Sequence, residues 1–219
     1  MATKSEKTPP KKPRDIGGKV IEAAMELAAT RGWRPLTLSD IAKAAALPLS
    51  SVYPDFPSKQ AVLDAFAQRI DLAVLAEEEP EEDTAGMSAR DRLFDVMMRR
   101  FDALQPYKAA VGNILYDQLR DPAAAAASLP QVARSMRWML EAAGIDASGL
   151  AGMARLQGLI GLYLACLRVW LRDDSAAMTK TMAALDGYLR RTEAWAERLS
   201  RAPRRAARET PGEAAEMRE

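Results

Sequence analysis

Cys166 is the one thiol in a chain that contains no histidine, and those two facts remove most enzyme chemistry. A Ser-His-Asp triad, a histidine-assisted cysteine nucleophile and a paired-histidine zinc site all need imidazole. A single cysteine can form neither an internal disulfide nor a cysteine-rich metal site, which suits a reducing compartment. Carboxylate, lysine, tyrosine and lone-thiol chemistry remain. No nucleophile stands beside a base, and Cys166 falls in an apolar stretch where a thiol is inert. The expectation is no enzyme, with no catalytic residue, no metal and no cofactor.

The densest chemistry by residue type is the acidic run Glu77, Glu78, Glu79, Glu81, Glu82 and Asp83, interrupted by Pro80. A calcium loop would alternate its ligands around a central glycine. This run does not, so it reads as a solvated linker. The 31 Lys+Arg nearly cancel the 30 Asp+Glu, for a formal charge of +1. That total hides a distribution. Residues 1–71 carry 11 Lys+Arg against 8 Asp+Glu, and the excess lies in a basic, proline-rich arm over residues 1–14. Such an arm can lie along phosphates or in a minor groove, or simply keep the chain soluble.

The elements that position these residues are helices. Hydrophobic residues make up 48% of the chain and aromatics 6%, so the core is aliphatic with alanine and methionine, which favours helix over sheet. No apolar leader is present at the start, and a signal peptide is not expected. The longest apolar run, Gly158 to Leu167, is too short to span a bilayer and reads as a buried core helix. About nine helices are expected in an all-α fold of cytoplasmic type, without stable membrane insertion. The expected organisation is a disordered basic arm at 1–14, a helix-turn-helix domain at 15–71, an acidic linker and helix end at 72–87, a helical domain at 88–200 and a disordered charged tail at 201–219.

Within 15–71, Val20, Ile21, Ala24, Leu27 and Ala28 repeat at helical spacing, and Gly32 follows as a left-handed cap. Thr37-Leu38-Ser39-Asp40 forms a capping box ahead of Ile41 and Ala42. Ala46-Leu47-Pro48 is a tight turn before a short segment, Leu49 to Phe56, and Ser58 caps a longer helix. A long helix followed by two short ones across a tight turn is a helix-turn-helix.

These residues also carry a family resemblance. The ordered series Gly32, Thr37, Asp40-Ile41-Ala42, Ala45, Leu47, Ser51-Val52-Tyr53, Phe56 and Pro57-Ser58-Lys59 resembles the N-terminal domain of TetR-type regulators. The resemblance covers about a quarter of the chain. It implies double-stranded DNA as partner, with Thr37, Ser39, Leu49, Ser50, Ser51, Tyr53 and Lys59 at the interface. Thr37, Tyr53 and Lys59 would meet phosphates, with Tyr53 anchored beside the core; Ser50 and Ser51 would meet bases or backbone. Leu49 could contact a thymine methyl. Each residue also has a plain structural role open to it, as cap, packing or surface. The segment departs from the family's pattern at the turn, where Ala46 replaces a common glycine, and at Pro48, Leu49, Pro54 and Asp55. Two phosphate donors are thereby lost and a carboxylate is added. Pro54 removes an amide and opposes α geometry at Tyr53, so the helix should be short or kinked.

From residue 88 onward helices are expected near 88–103, 107–120, 130–143, 148–172 and 176–200, with Pro122 and Gly144 marking ends. Met97, Phe101, Ile114, Met136, Trp138, Met139, Tyr163, Cys166 and Trp170 supply large, adaptable side chains that suit either an ordinary core or a pocket for a small hydrophobic effector. Few buried charges are expected there. Gly158, Gly161 and Ala165, with the seam Met178, Met182, Leu185 and Leu189 continuing to Ala196 and Leu199, suit close helix packing. The family resemblance implies that the last two helices form a homodimer. The stretch around Trp170, Asp173-Asp174-Ser175 and Met182 to Asp186 is also similar to TetR-like lipid-binding proteins of ubiquinone biosynthesis. That similarity implies an alternative, an isoprenoid-quinone or lipid-binding accessory protein that does not bind operators.

Overall fold

The computed structural model describes residues 15–77 and 86–206, with side chains described as far as residue 192. The expectations for the basic arm, most of the acidic run, the C-terminal tail and the residues Ala196 and Leu199 lie outside the described residues or side chains. Among the described residues every regular element is helical. The helices are α1 (Ile16–Arg31), α2 (Leu38–Ala44), α3 (Leu49–Val52), α4 (Lys59–Ala76), α5 (Ala89–Leu104), α6 (Lys108–Leu119), α7 (Pro122–Ala142), α8 (Gly149–Trp170) and α9 (Thr179–Ala206), with a short 3-10 turn at Gln105–Tyr107.

The chain folds as two compact units. The first takes residues up to Arg69 together with Pro106–Leu129; the second takes Ile70–Gln105 and residues from Pro130 onward. Helix α6, which falls inside the expected 88–200 domain, is thus part of the N-terminal unit, where it packs on α1. Sequence spacing says which face of a helix is apolar and nothing about which neighbour covers it.

In the first unit Asp15 caps α1, accepting the amide of Gly18 at 2.8 Å. Val20, Ala24, Met25 and Ala28 of α1, Ile41 and Ala42 of α2, Val52 of α3 and Val62 and Phe66 of α4 are buried together with Trp33 and Leu36. Phe66 meets Tyr107 edge-on, with ring centroids 5.1 Å apart.

The second unit packs α9 against α8 and α5. Asp173, buried in the loop between α8 and α9, accepts four hydrogen bonds. They come from the Ser175 amide and hydroxyl at 3.2 and 2.5 Å and from the Thr181 amide and hydroxyl, both at 2.8 Å. These bonds, the Ser175 hydroxyl first, hold its carboxyl well below the usual value of 3.8. A carboxylate with a depressed folded-state pKa contributes stability above its unfolded pKa and loses it as pH falls toward the folded one. Asp173→Asn is therefore expected to lower the melting temperature at neutral pH and to narrow the gap from wild type below the usual carboxylate range. Melting curves taken across the acid range check this, and a gap that is constant with pH would refute it.

Two expected boundaries are corrected. Pro122 begins a helix rather than ending one. As first residue it has no amide to leave unpaired, Asp121 Oδ1 accepts the amides of Ala123 and Ala124, both at 3.1 Å, and the alanines that follow are the strongest helix formers. The short segment after the turn ends at Val52 rather than Phe56, as Pro54 requires, although Tyr53 itself keeps right-handed helical angles.

Candidate nucleic-acid interface

The helix-turn-helix is built from backbone groups before any side chain reaches outward. Thr37 caps α2 by a complete capping box: its hydroxyl oxygen accepts the Asp40 amide at 3.1 Å, and Asp40 Oδ2 accepts the Thr37 amide at 2.9 Å. At the other end of α2, the Leu47 amide donates to Ala42 O at 2.9 Å and the Ala46 amide to Lys43 O at 3.1 Å. This is a Schellman closure, and it requires a left-handed residue at position 46. Ala46 adopts that conformation with φ of 53°, although a Cβ disfavours it. The sharp turn aims α3 away from α2. Ala46→Gly is expected to stabilise the protein by about 0.5–1 kcal/mol, raising the melting temperature by a few degrees. An unchanged or lower melting temperature would show that the turn relaxes in the native protein.

The side chains on this surface fall into two groups. Ser39, Leu49, Ser50 and Tyr53 are exposed and Ser51 is half-buried. Leu49 is 48% and Tyr53 68% accessible, so Tyr53 projects from the surface rather than anchoring beside the core. Thr37 and Lys59 are engaged inside the unit instead. The Thr37 hydroxyl donates its proton to Asp40 Oδ2 at 2.6 Å, so the expected phosphate donor is already committed. Lys59 Nζ donates to Trp33 O at 3.0 Å and Arg34 O at 3.2 Å and sits 5.2 Å from the Trp33 ring. Burial pushes this ammonium below the usual lysine range, against the pull of Asp117. In the structure Lys59 thus clamps the loop after α1.

The other half of that clamp was not legible in the sequence. Asp117 Oδ2, on α6, accepts the amides of both Trp33 and Arg34 at 2.8 Å. The two residues thus have their N–H groups held by Asp117 and their carbonyls by Lys59. One turn earlier on α6, the Asn113 side-chain amide donates to Ala28 O and Ala29 O, at 2.9 and 3.0 Å, at the open C-terminus of α1. Near the start of α6, the Tyr107 hydroxyl donates to Glu22 Oε1 at 2.9 Å, which also pairs with Arg69 at 2.5 Å. The loop leading into α2 is therefore fixed by polar groups from α4 and α6. A lone Asn-x-x-x-Asp pair in a short helix carries no sequence signal for this.

In the second unit, Met97, Phe101, Met136, Met139, Tyr163, Cys166 and Trp170 are all buried. Phe101 lies 5.9 Å from both the Tyr163 and Trp170 rings, and Trp170 Nε1 donates to Gln105 Oε1 at 2.9 Å. Burial pushes the Cys166 thiol up to about 12. Two of the expected effector contacts do not join this group: Ile114 belongs to the first unit, and Trp138 is 50% accessible. Buried charges are few among the described residues: Asp71, Arg100 and Asp173. Arg100 and Asp71 pair in the core of this unit, each about one-twentieth accessible.

The expected dimer seam divides in the same way. Met178, just before α9, and Leu185 and Leu189 on it are buried within the chain, and α9 packs against α8 and α5. Met182 remains 40% accessible. On α8, Gly158 and Gly161 are exposed, and a Cβ added at either meets no atom within 4 Å. Gly152 differs, since a Cβ there would fall 2.1 Å from the Ala147 carbonyl carbon. The 22-residue α8 is long and apolar enough in composition to cross a bilayer, a test that core helices also pass. Its Leu156, Leu159, Leu162 and Leu167 are buried in the unit.

A tightly capped helix-turn-helix followed by a separate helical unit defines a class of DNA-binding regulatory fold, and comparison with known proteins agrees. Residues 20–66 match the sequence profile of bacterial regulatory proteins, tetR family. A stretch of 51 residues is 37% identical to the HTH-type transcriptional regulator AlkX of Mycobacterium tuberculosis (strain ATCC 25618 / H37Rv), covering 23% of this chain and 24% of that protein. The chain thus matches about a quarter of the length of that curated relative. The crystal structure of the TetR transcriptional regulator from Nitrosomonas europaea ATCC 19718 superposes with a TM-score of 0.65 at 26% identity, over 82% of this chain and 98% of the other. A TetR transcriptional regulator from Rhodococcus sp. RHA1 superposes with a TM-score of 0.56 at 23% identity, over 80% and 96%. The N-terminal segment is thus similar to the tetR family, and the fold is that of a solved TetR regulator.

Proposed function

We propose that the protein is a DNA-binding transcriptional regulator, acting as a homodimeric repressor that a small hydrophobic effector releases. The observation that carries the reading is the closed α2–turn–α3 unit. It leaves Ser39, Leu49, Ser50 and Tyr53 exposed on the segment that matches the tetR-family profile. In a twofold dimer two such segments face successive major grooves. The stretch from Thr37 to Lys59 holds two lysines and two aspartates, so the local charge is balanced and the nonspecific attraction falls to residues outside it. Release by an effector follows if the effector binds better to the arrangement of the dimer that does not fit DNA.

Selection of fragments of the source genome by the purified protein tests the reading. The expected result is a pseudo-palindromic site bound with affinity that falls as salt rises. No preference for any fragment over random duplex would refute it, and a co-purifying lipid alongside that result would favour the lipid-binding alternative.

The dimer carries its own test. A Cβ at Gly161 meets no atom within 4 Å among the described residues beyond its own turn of helix, so in Gly161→Leu the monomer fold is expected to keep its stability at low concentration. The side chain would instead block close approach of a second α8 and shift sedimentation toward monomer. An unchanged dimer would remove Gly161 from the interface.

A further inference from the structure

The core of the second unit contains a polar centre where an ordinary helical core would be apolar. Four helices meet there. Asp71 comes from the end of α4, Arg100 from α5, Gln131 and Ser135 from α7, and Tyr163 from α8. Asp71 Oδ1 accepts from Arg100 Nη1, and Asp71 Oδ2 accepts the Ser135 hydroxyl at 2.7 Å. Gln131 Nε2 reaches Ser135 Oγ at 3.4 Å. The Arg100 guanidinium lies 5.4 Å from the centre of the Tyr163 ring. All but 4% of Arg100 is buried, yet its Nε–H has no hydrogen-bond partner among the described residues.

Such a centre is not explained by stability. A buried ion pair is commonly no better than apolar residues of the same size, and an unpaired buried donor is unfavourable in itself. Arg100 lies between Met97 and Phe101 on α5. Phe101 in turn contacts the Tyr163 and Trp170 rings. An unmatched donor on the same helix as the buried Met97 and Phe101, beside the Tyr163 ring, suits recognition of a molecule that is mostly apolar and carries one acceptor.

The charge of the centre decides which acceptor. Asp71 already neutralises Arg100. The other guanidinium that reaches this cluster, Arg134 on Gln131 Oε1, is exposed. A ligand carboxylate would bring a second negative charge beside Asp71 with no buried cation to balance it. An uncharged oxygen would accept from Nε without that opposition. The geometry points to an effector that is an uncharged apolar molecule with a carbonyl-type oxygen, bound through Arg100 Nε–H. The inference rests on the reading of this unit as effector-binding.

A matched series tests it: benzophenone, diphenylmethane and diphenylacetate, which share an apolar body and differ in one group. Binding is measured by calorimetry on the full-length protein. The proton–nitrogen NMR signal of the Arg100 Nε–H is followed in parallel, assigned by its loss in Arg100→Lys. Benzophenone should bind at least ~10-fold more tightly than diphenylmethane, the ratio one hydrogen bond to a charged donor supports, and should move the Nε–H signal downfield. Diphenylacetate should bind more weakly than benzophenone. In a double variant, Arg100→Met with Asp71→Leu, the ketone should lose its advantage while diphenylmethane binding persists. Equal binding of ketone and hydrocarbon, or an unmoved Nε–H signal, overturns the carbonyl site and leaves an apolar effector standing. Tightest binding by diphenylacetate overturns the preference for an uncharged acceptor. Failure of all three to bind overturns the site together with the effector reading.

Discussion

Arg100→Met lowers the stability of the protein by about 3–5 kcal/mol, the usual result of removing one partner from a buried ion pair. The methionine fills similar space among Met97, Phe101 and Tyr163, so packing changes little. Asp71 is the cause of the loss. Its carboxylate is buried, accepts the Ser135 hydroxyl, and without Arg100 is left as an uncompensated buried charge. Against a typical total of about 5–15 kcal/mol, a loss of this size unfolds a measurable fraction of the protein in mild denaturant. Adding Asp71→Leu removes the stranded charge and is expected to restore most of the loss. Urea midpoints of the wild type and of the single and double variants measure this. A double variant no more stable than Arg100→Met would show that the guanidinium contributes through packing alone, and that the polar centre is not a coupled unit.

Asp117→Ala is expected to weaken DNA binding at least ~10-fold for every site tested, with only a modest change in stability of about 1–3 kcal/mol for two amides losing a charged acceptor. Asp117 lies on α6, away from the helix-turn-helix in sequence, yet it holds the amides of Trp33 and Arg34. Those residues lead directly into the cap of α2, and their carbonyls are held by Lys59. Removing Asp117 frees one side of the clamp, so α2 and the α3 segment behind it sample orientations that do not match the groove. The loss arises from positioning, so it should leave sequence preference unchanged. Asp117→Asn retains one acceptor oxygen and should retain part of the affinity. Lys59→Ala and Asp117→Ala together should cost less than the sum of the two, because both act on the same loop. Full affinity in Asp117→Ala, measured by fluorescence anisotropy on a selected site, would remove α6 from control of the DNA-binding surface.

Local features of the first unit were readable without coordinates. The capping box at Thr37, the tight turn at Ala46, the cap at Gly32 and the shortening of α3 by Pro54 each depend on neighbours within a few residues. Steric and hydrogen-bond rules act at that range. The Ala46 case also shows a limit: its place in the turn could be read, but an alanine there tells nothing of the strain until φ is known. The place of Arg100 is legible in the helical spacing. This residue follows Val96 and Met97 and precedes Phe101 and Leu104 on the buried face of α5, so helical spacing alone puts a cation in the core.

What could not be read depends on which faces meet. Lys59 has the residue type for phosphate contact, and only the fold turns it onto the Trp33–Arg34 carbonyls. Met178, Leu185 and Leu189 form a regular apolar seam, which fits an intrachain core and a dimer equally well until α8 and α5 are seen to cover it. By itself the sequence determined the helical class, the two-helix DNA-reading motif and the absence of histidine chemistry, because composition and short-range periodicity are sufficient for those. Only the tertiary structure decided that α6 belongs with the N-terminal unit, that Asp117 and Lys59 clamp one loop, and that Asp71 meets Arg100. Those pairings join residues 25 to 85 positions apart, and at such separations proximity is set by packing of helix faces and not by any local preference of the chain.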